Sequence, residues 1–175
     1  MIVRVAFALL FLGGAVVAAQ THHSSPYAGH EARIVAALSA QEVADLRSGA
    51  GMAMALPAEL NGYPGPRHVL DLAEPLALTA DQRAEAERLM AEMRGRAVPL
   101  GEQVIVAEAE LGRLFASGVA TATVIAAATD RVARLRGELR SVHLVAHVAM
   151  RDALTADQRS AYDRLRGYAR GHRAH

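Results

Sequence analysis

The chain has 175 residues, 52% of them hydrophobic but only 4% aromatic, with no cysteine, no tryptophan and a formal net charge of +1. The missing cysteine excludes disulfides and a lipoprotein anchor, and the near-neutral charge offers no electrostatic footprint for nucleic acid or anionic lipid. A make-up dominated by alanine, leucine, valine and arginine, without a single lysine, fits one domain of packed helices, not an aromatic-faced sheet.

Residues 1–19 read as a secretory signal peptide: Arg4, then an apolar run over 5–17, then the small-residue cleavage site Val17, Ala18 and Ala19. The run is shorter than the about 20 residues a membrane span needs, so no stable membrane anchor is expected and the destination is the periplasm. Removing Arg4 leaves 18 arginines against 18 acids. Residues 20–29 are polar and turn-rich, the pattern of a flexible N-terminus. Residues 30–75 are expected to hold short helices and a loop. The first helix is expected over 30–38. A second begins at the capping box formed by Ser39 and Glu42, with Leu38 and Val43 placed for a hydrophobic staple, and stops near Gly49. Glycines and prolines punctuate residues 49–66 as a loop. A brief helix over 67–74 then leads to Pro75.

Residues 76–170 carry the main domain. Two near-copies, LTADQRAEAERL at 78–89 and LTADQRSAYDRL at 154–165, each open with a helix-start signal. Thr79 or Thr155 caps the first turn, Gln82 or Gln158 bonds back, and Asp81 or Asp157 favours the dipole. Between them run two long helices. Ala86, Met90, Met93, Ala97, Leu100, Val104, Ala107, Leu111 and Leu114 mark the seam of the first. The second follows the same four-three rhythm through Ile125, Ala128, Val132, Leu135, Leu139, Val142, Ala146, Ala149 and Ala153. Each would be about 45–55 Å long. The short link near 117–121 predicts an antiparallel hairpin. Pro99 predicts a kink in a helix that nonetheless keeps its phase. The second repeat starts a hooked terminal helix, and residues 171–175 form a flexible tail. Apolarity nearly all round the helix over 142–150 implies burial on more than one side, by the short helices and by a second protomer in a homodimer.

The duplicated motif, Leu78, Thr79 and Gln82 with Leu154, Thr155 and Gln158, resembles the periplasmic LTxxQ family of Spy-, CpxP-, ZraP- and CnrX-like proteins. The resemblance spans residues 66–168, and residues 59–73 look like an N-terminal extension found in some members. It implies a small all-α protein, a hooked antiparallel helical hairpin, usually dimeric. Some members hold unfolded proteins without ATP; others bind or sense heavy metals. It therefore implies three roles: a chaperone-like protein with unfolded periplasmic clients, a metal-binding protein, or a regulator docking on a sensor-protein domain.

His143, His147 and Met150 share one stripe of the second long helix. Two imidazoles one turn apart can grip a divalent ion, and a thioether adds softness suited to copper, so Zn, Cu, Ni and Co are the candidates. The family's metal sensor carries a His and a Met here four apart; His147 and Met150 are three apart, and His30 and His68 are the further histidines available. The competing reading makes both histidines the rim of a helix interface and Met150 core filling. Cleavage after Ala19 would put His22 third from a free amine, a square-planar nitrogen set for Cu(II) or Ni(II). His172 and His175 end the chain, and Met52 and Met54 suit apolar plugging of the hairpin. A client surface would use Met90, Met93 and the Pro99 region, with Arg88, Arg94 and Arg96 around it. No glycine-rich phosphate loop, HExxH or Ser-His-Asp grouping is present, so no enzyme is expected and no cofactor is required.

Overall fold

The computed structural model describes residues 25–168. The expected signal peptide over 1–19, His22, His172 and His175 lie outside the described residues. Within them every regular element is helical: a single 3-10 turn at His30–Ala32, then α1 (Ala40–Ser48), α2 (Leu56–Glu59), α3 (Pro66–Asp71), α4 (Ala80–Ala116), α5 (Ala122–Ala153) and α6 (Ala156–Leu165).

Local chemistry sets most boundaries. The Ser39 hydroxyl accepts the Glu42 backbone N–H, and the Glu42 carboxylate accepts the Ser39 N–H at 2.8 Å. That backbone hydrogen bond, followed by the one from the Ser39 hydroxyl, holds the Glu42 carboxyl below its ordinary range. Gly49 ends α1 in the left-handed region, φ 69°. The helix expected over 30–38 is only the 3-10 turn, because Arg33 is already extended. Val35 and Leu38 still reach the core, and a turn satisfies their three-residue spacing as well as a helix would. Within the expected loop 49–66 the chain inserts the one-turn α2.

α4 and α5 form the antiparallel hairpin, joined through Ser117 and Gly118 (φ 70°), with Thr121 capping α5. At 1.5 Å per residue their 37 and 32 residues span about 55 and 48 Å. α4 passes unbroken through Pro99, which stands on its exposed side, so the predicted single helix is present. Of the expected seam, Ala86, Met93, Ala97, Val104 and Ala107 on α4 and Val132, Leu135, Leu139, Val142 and Ala146 on α5 are buried; Met90, Leu100, Ala149 and Ala153 are half-buried, as are Leu111, Leu114, Ile125 and Ala128 toward the tip. α4 also buries Leu89, Gly101 and Ile105, outside the expected seam. A single stripe undercounts a helix covered on two sides: α1 and α3 pack on α4 in addition to α5. Gly101 marks the tightest approach, where a Cβ would stand 2.2 Å from the Leu46 carbonyl oxygen. Buried Glu108 is neutralised across the hairpin by Arg136 at 2.6 Å.

The two repeats close the other end together. The Gln82 and Gln158 amides donate to each other's carbonyl oxygen, both at 2.8 Å. Each amide also reaches over the opposite repeat's lead-in: Gln82 donates to the Ala153 carbonyl at 3.0 Å, and Gln158 to that of Leu76 at 3.3 Å. Both capping boxes form as predicted. The motif is thus a pseudo-symmetric clasp in which each glutamine caps its own helix and grips the other. Around it Val69, Leu76, Ala86, Leu89, Met150, Leu154 and Tyr162 form a second core, separate from that of the hairpin.

Candidate functional site

Residues 59–68 are folded down against α5 by a buried carboxylate. Glu59, 6% exposed, accepts hydrogen bonds from the Gly65 N–H at 3.1 Å, from the Tyr168 hydroxyl at 3.1 Å, and from the Tyr162 hydroxyl. Arg166 and His147 approach it at 3.7 and 3.6 Å. Burial, reinforced by the bond to Glu59, pushes the Tyr162 hydroxyl well above its ordinary range, so Tyr162 remains a donor. One side chain of α2 thereby ties the N-terminal segment to α5, to α6 and to the residues just after it. Tyr63 adds to the closure, its ring lying under the Arg151 guanidinium at 4.6 Å.

The same segment orients His147. Its Nδ1 lies 2.7 Å from the Tyr63 carbonyl oxygen. A carbonyl only accepts, so Nδ1 carries the proton and Nε2 keeps its lone pair in the neutral ring. Gly65 faces that nitrogen: a Cβ there would stand 2.8 Å from His147 Nε2. One turn back, His143 is 2% exposed, and its Nε2 has no hydrogen-bond partner. Burial first, then the charge of His147, lowers its basicity from the ordinary imidazole value, which favours the neutral ring. An unpartnered buried imidazole nitrogen is costly and calls for an explanation.

Both rings line one cavity of about 240 Å³, between α4, α5, the end of α1 and the start of α3. His68 of α3 lines it too, and so do Met90 and Met93 of α4. Met150 does not. It is fully buried in the second core, because one turn beyond His147 the stripe of α5 enters the junction of α3, α4 and α6. His30 is occupied with Arg33 at 2.8 Å and packs against Tyr27. Met52 and Met54 pack on the hairpin core. Among the described residues no three His, Cys, Asp or Glu side chains are grouped closely enough to hold a metal ion by themselves.

A second feature lies on the other side of the hairpin. Val145 and Val148 are 55% and 48% exposed, so the all-round apolar stretch of α5 is covered only on its inner side within one chain. Beside them a groove of about 300 Å³ runs between α4 and α5, with Leu89, Val142 and Ala149 on its floor and Arg88 and Arg96 at its edge.

The Glu59 hub and the Gly65 contact were not foreseen as site elements. Their sequence signals are the glycine- and proline-punctuated run from Glu59 onward and the likeness of residues 59–73 to an N-terminal extension found in some family members. Met93 lies in the hairpin core and Met90 packs against it, as the seam predicts, and both also line the histidine cavity.

Two helix starts clasped by a repeated motif, at the open end of a long antiparallel hairpin, define a class of all-α hairpin proteins. The model of the family described as "LTXXQ motif family protein" matches residues 66–166, more than half of the chain. The chain belongs to that family. Proteins of this family are periplasmic and generally non-enzymatic. No curated protein and no solved structure matches the chain. Among the described residues no helix is long and apolar enough to cross a membrane.

Proposed function

We propose that this is a non-enzymatic envelope-stress protein of the periplasm that binds a transition metal through His143 and His147, in a cavity that His68 also lines. The observation that carries the reading is the buried, unpartnered Nε2 of His143 on the same cavity wall as His147. His147 has its other nitrogen held by a backbone carbonyl, with a carboxylate behind it. Metal-ligating histidines ordinarily have this arrangement, which fixes the tautomer and raises ligand basicity. Zn, Cu, Ni and Co are the metals to try. Calorimetric titration of the wild-type chain and of His143→Ala/His147→Ala tests it, with residues 20–23 deleted in parallel to separate any contribution of His22. Saturable binding lost in the double variant is expected; equal affinity in both proteins removes the site.

A second reading rests on the uncovered Val145 and Val148 beside the arginine-edged groove. That surface suits a homodimer partner, an unfolded client or a sensor-protein domain. Suppression of aggregation of a denatured client at near-stoichiometric ratio without nucleotide, lost in Val145→Asp/Val148→Asp, supports holding activity. No suppression at excess protein rules it out.

A further inference from the structure

We propose that a polar cavity at the corner of α5 and α6 is a binding site for a small tetrahedral oxyanion of the phosphate class, held between Arg151 and Arg159. The site is separate from the histidine cavity and does not depend on the metal reading.

Three segments build it. Arg151 comes from the last turn of α5, Ala156, Arg159 and Ser160 from the first turns of α6, and Asn61 and Gly62 from the turn that follows α2; together they line about 170 Å³. Gly62 makes that turn with φ 78°, and the Glu59 hub and the stacked Tyr63 bring it here. Both guanidiniums are held by contacts that leave their charge uncompensated. Arg151 lies over the Tyr63 ring at 4.6 Å, and Arg159 donates through Nη1 to the carbonyls of Arg151 and Leu154, which close α5. Guanidiniums fixed in this way lose little freedom on taking a ligand.

Charge and donor count identify the ligand. Among the described residues no carboxylate lines the cavity. Asp152 approaches Arg151 only at 3.8 Å and is itself 70% exposed, and Arg159 has no ion pair among the described residues. Arg83, at the matching position of the first repeat, is instead bonded to Glu74 at 3.1 Å. Two guanidiniums on one wall without an acid between them repel, and an anion seated there is attracted to both. The Ser160 hydroxyl adds a neutral donor, as does the Asn61 amide, which keeps a second N–H beyond the one given to the Pro57 carbonyl. Donors on four side chains suit the four oxygens of a tetrahedral anion, whereas a carboxylate offers two. Phosphate carries about −1.5 charge at neutral pH, which two arginines match.

The test is a titration of the full chain with inorganic phosphate at low salt, with a chelator present to keep metals out, followed by calorimetry and by amide shifts in NMR. Sodium acetate is titrated in parallel. One equivalent of phosphate is expected, bound about tenfold or more tightly than acetate, perturbing the amides of Gly62 and Ala156 and weakening as salt is raised. Arg151→Gln/Arg159→Gln should weaken phosphate by about tenfold or more, because charge-assisted hydrogen bonds are lost. Should that double variant not fold, Ser160→Ala, at an exposed position, should weaken it by about threefold with the melting curve in place. Arg83→Gln, the matching change in the first repeat, should leave the affinity as it was. Absence of saturable binding, unchanged affinity in the cavity variant, an equal loss in Arg83→Gln, or acetate bound as tightly as phosphate overturns the proposal. A loss in Arg67→Gln/Arg94→Gln with none in Arg151→Gln/Arg159→Gln would put the anion in the histidine cavity and overturn it as well.

Discussion

The clasp between Gln82 and Gln158 makes a quantitative test of why the motif occurs twice. Each glutamine side chain makes four hydrogen bonds: Gln82 accepts the Thr79 N–H at 3.2 Å, donates to the Ala153 carbonyl, and exchanges two bonds with Gln158. Neutral hydrogen bonds contribute about 0.5–1.5 kcal/mol each, and the Thr79 N–H can turn to water when its partner is lost, so Gln82→Ala should cost about 2 kcal/mol. Gln158→Ala, with the same four roles, should cost a similar amount. The two mutual bonds are lost only once, so the double variant should cost about 2–3 kcal/mol, a coupling energy of about 1–2 kcal/mol. In a chain of this size each single variant should lower the melting temperature by about 4–8 °C. Urea unfolding of the four proteins of the cycle measures this. Thr79→Ala, which removes only the cap, provides the benchmark at about 1 kcal/mol. Additivity of the two glutamine substitutions within about 0.3 kcal/mol would refute the clasp and reduce the motif to two independent helix starts.

Three further outcomes follow from the geometry. Glu59→Gln leaves Tyr162, Tyr168 and the Gly65 N–H competing for a weaker acceptor and should cost about 2–3 kcal/mol, with faster hydrogen exchange at Gly65 and across residues 59–68; unchanged exchange there would show that the hub does not hold the segment. Gly101→Ala places a methyl 2.2 Å from the Leu46 carbonyl and should cost about 1–3 kcal/mol by pushing α1 off α4. Gly137→Ala, with nothing within 4 Å, should instead stabilise α5 by up to about 1 kcal/mol, and equal effects at the two glycines in thermal melts would contradict the packing. His143 resists protonation in the folded state, so the unfolded chain binds the proton more readily. Its contribution to stability is therefore complete above the ordinary imidazole value of 6.5 and is lost as the pH falls below it, by at most about 1.4 kcal/mol per pH unit. Urea unfolding at pH 7.5 and 5.5 should show a smaller loss for His143→Leu than for the wild-type chain; an equal loss would show that His143 is not the group that resists the proton.

Several elements were legible because their causes are local. Ser39, Thr79 and Thr155 each open a helix with a partner three residues on, and Gly49 closes one, since capping needs only neighbours in the chain. The four-three seam likewise reports itself, because one covered stripe repeats at the period of the helix. The segment over 30–38 was harder to read: the spacing of Val35 and Leu38 does not distinguish a helix from a docked turn.

The amino-acid sequence by itself determined an all-helical hairpin with two capped repeats, and it marked His143 and His147 as neighbours on one helix. The tertiary structure decided what surrounds them. Glu59 meets Tyr162 more than a hundred residues away, Gly65 lies on His147, and Met90 and Met93 share a cavity with both histidines while Met150 sinks into the second core. Each of these contacts joins segments far apart in the chain. No local periodicity encodes such a meeting, which depends on how several helices divide the space around α5.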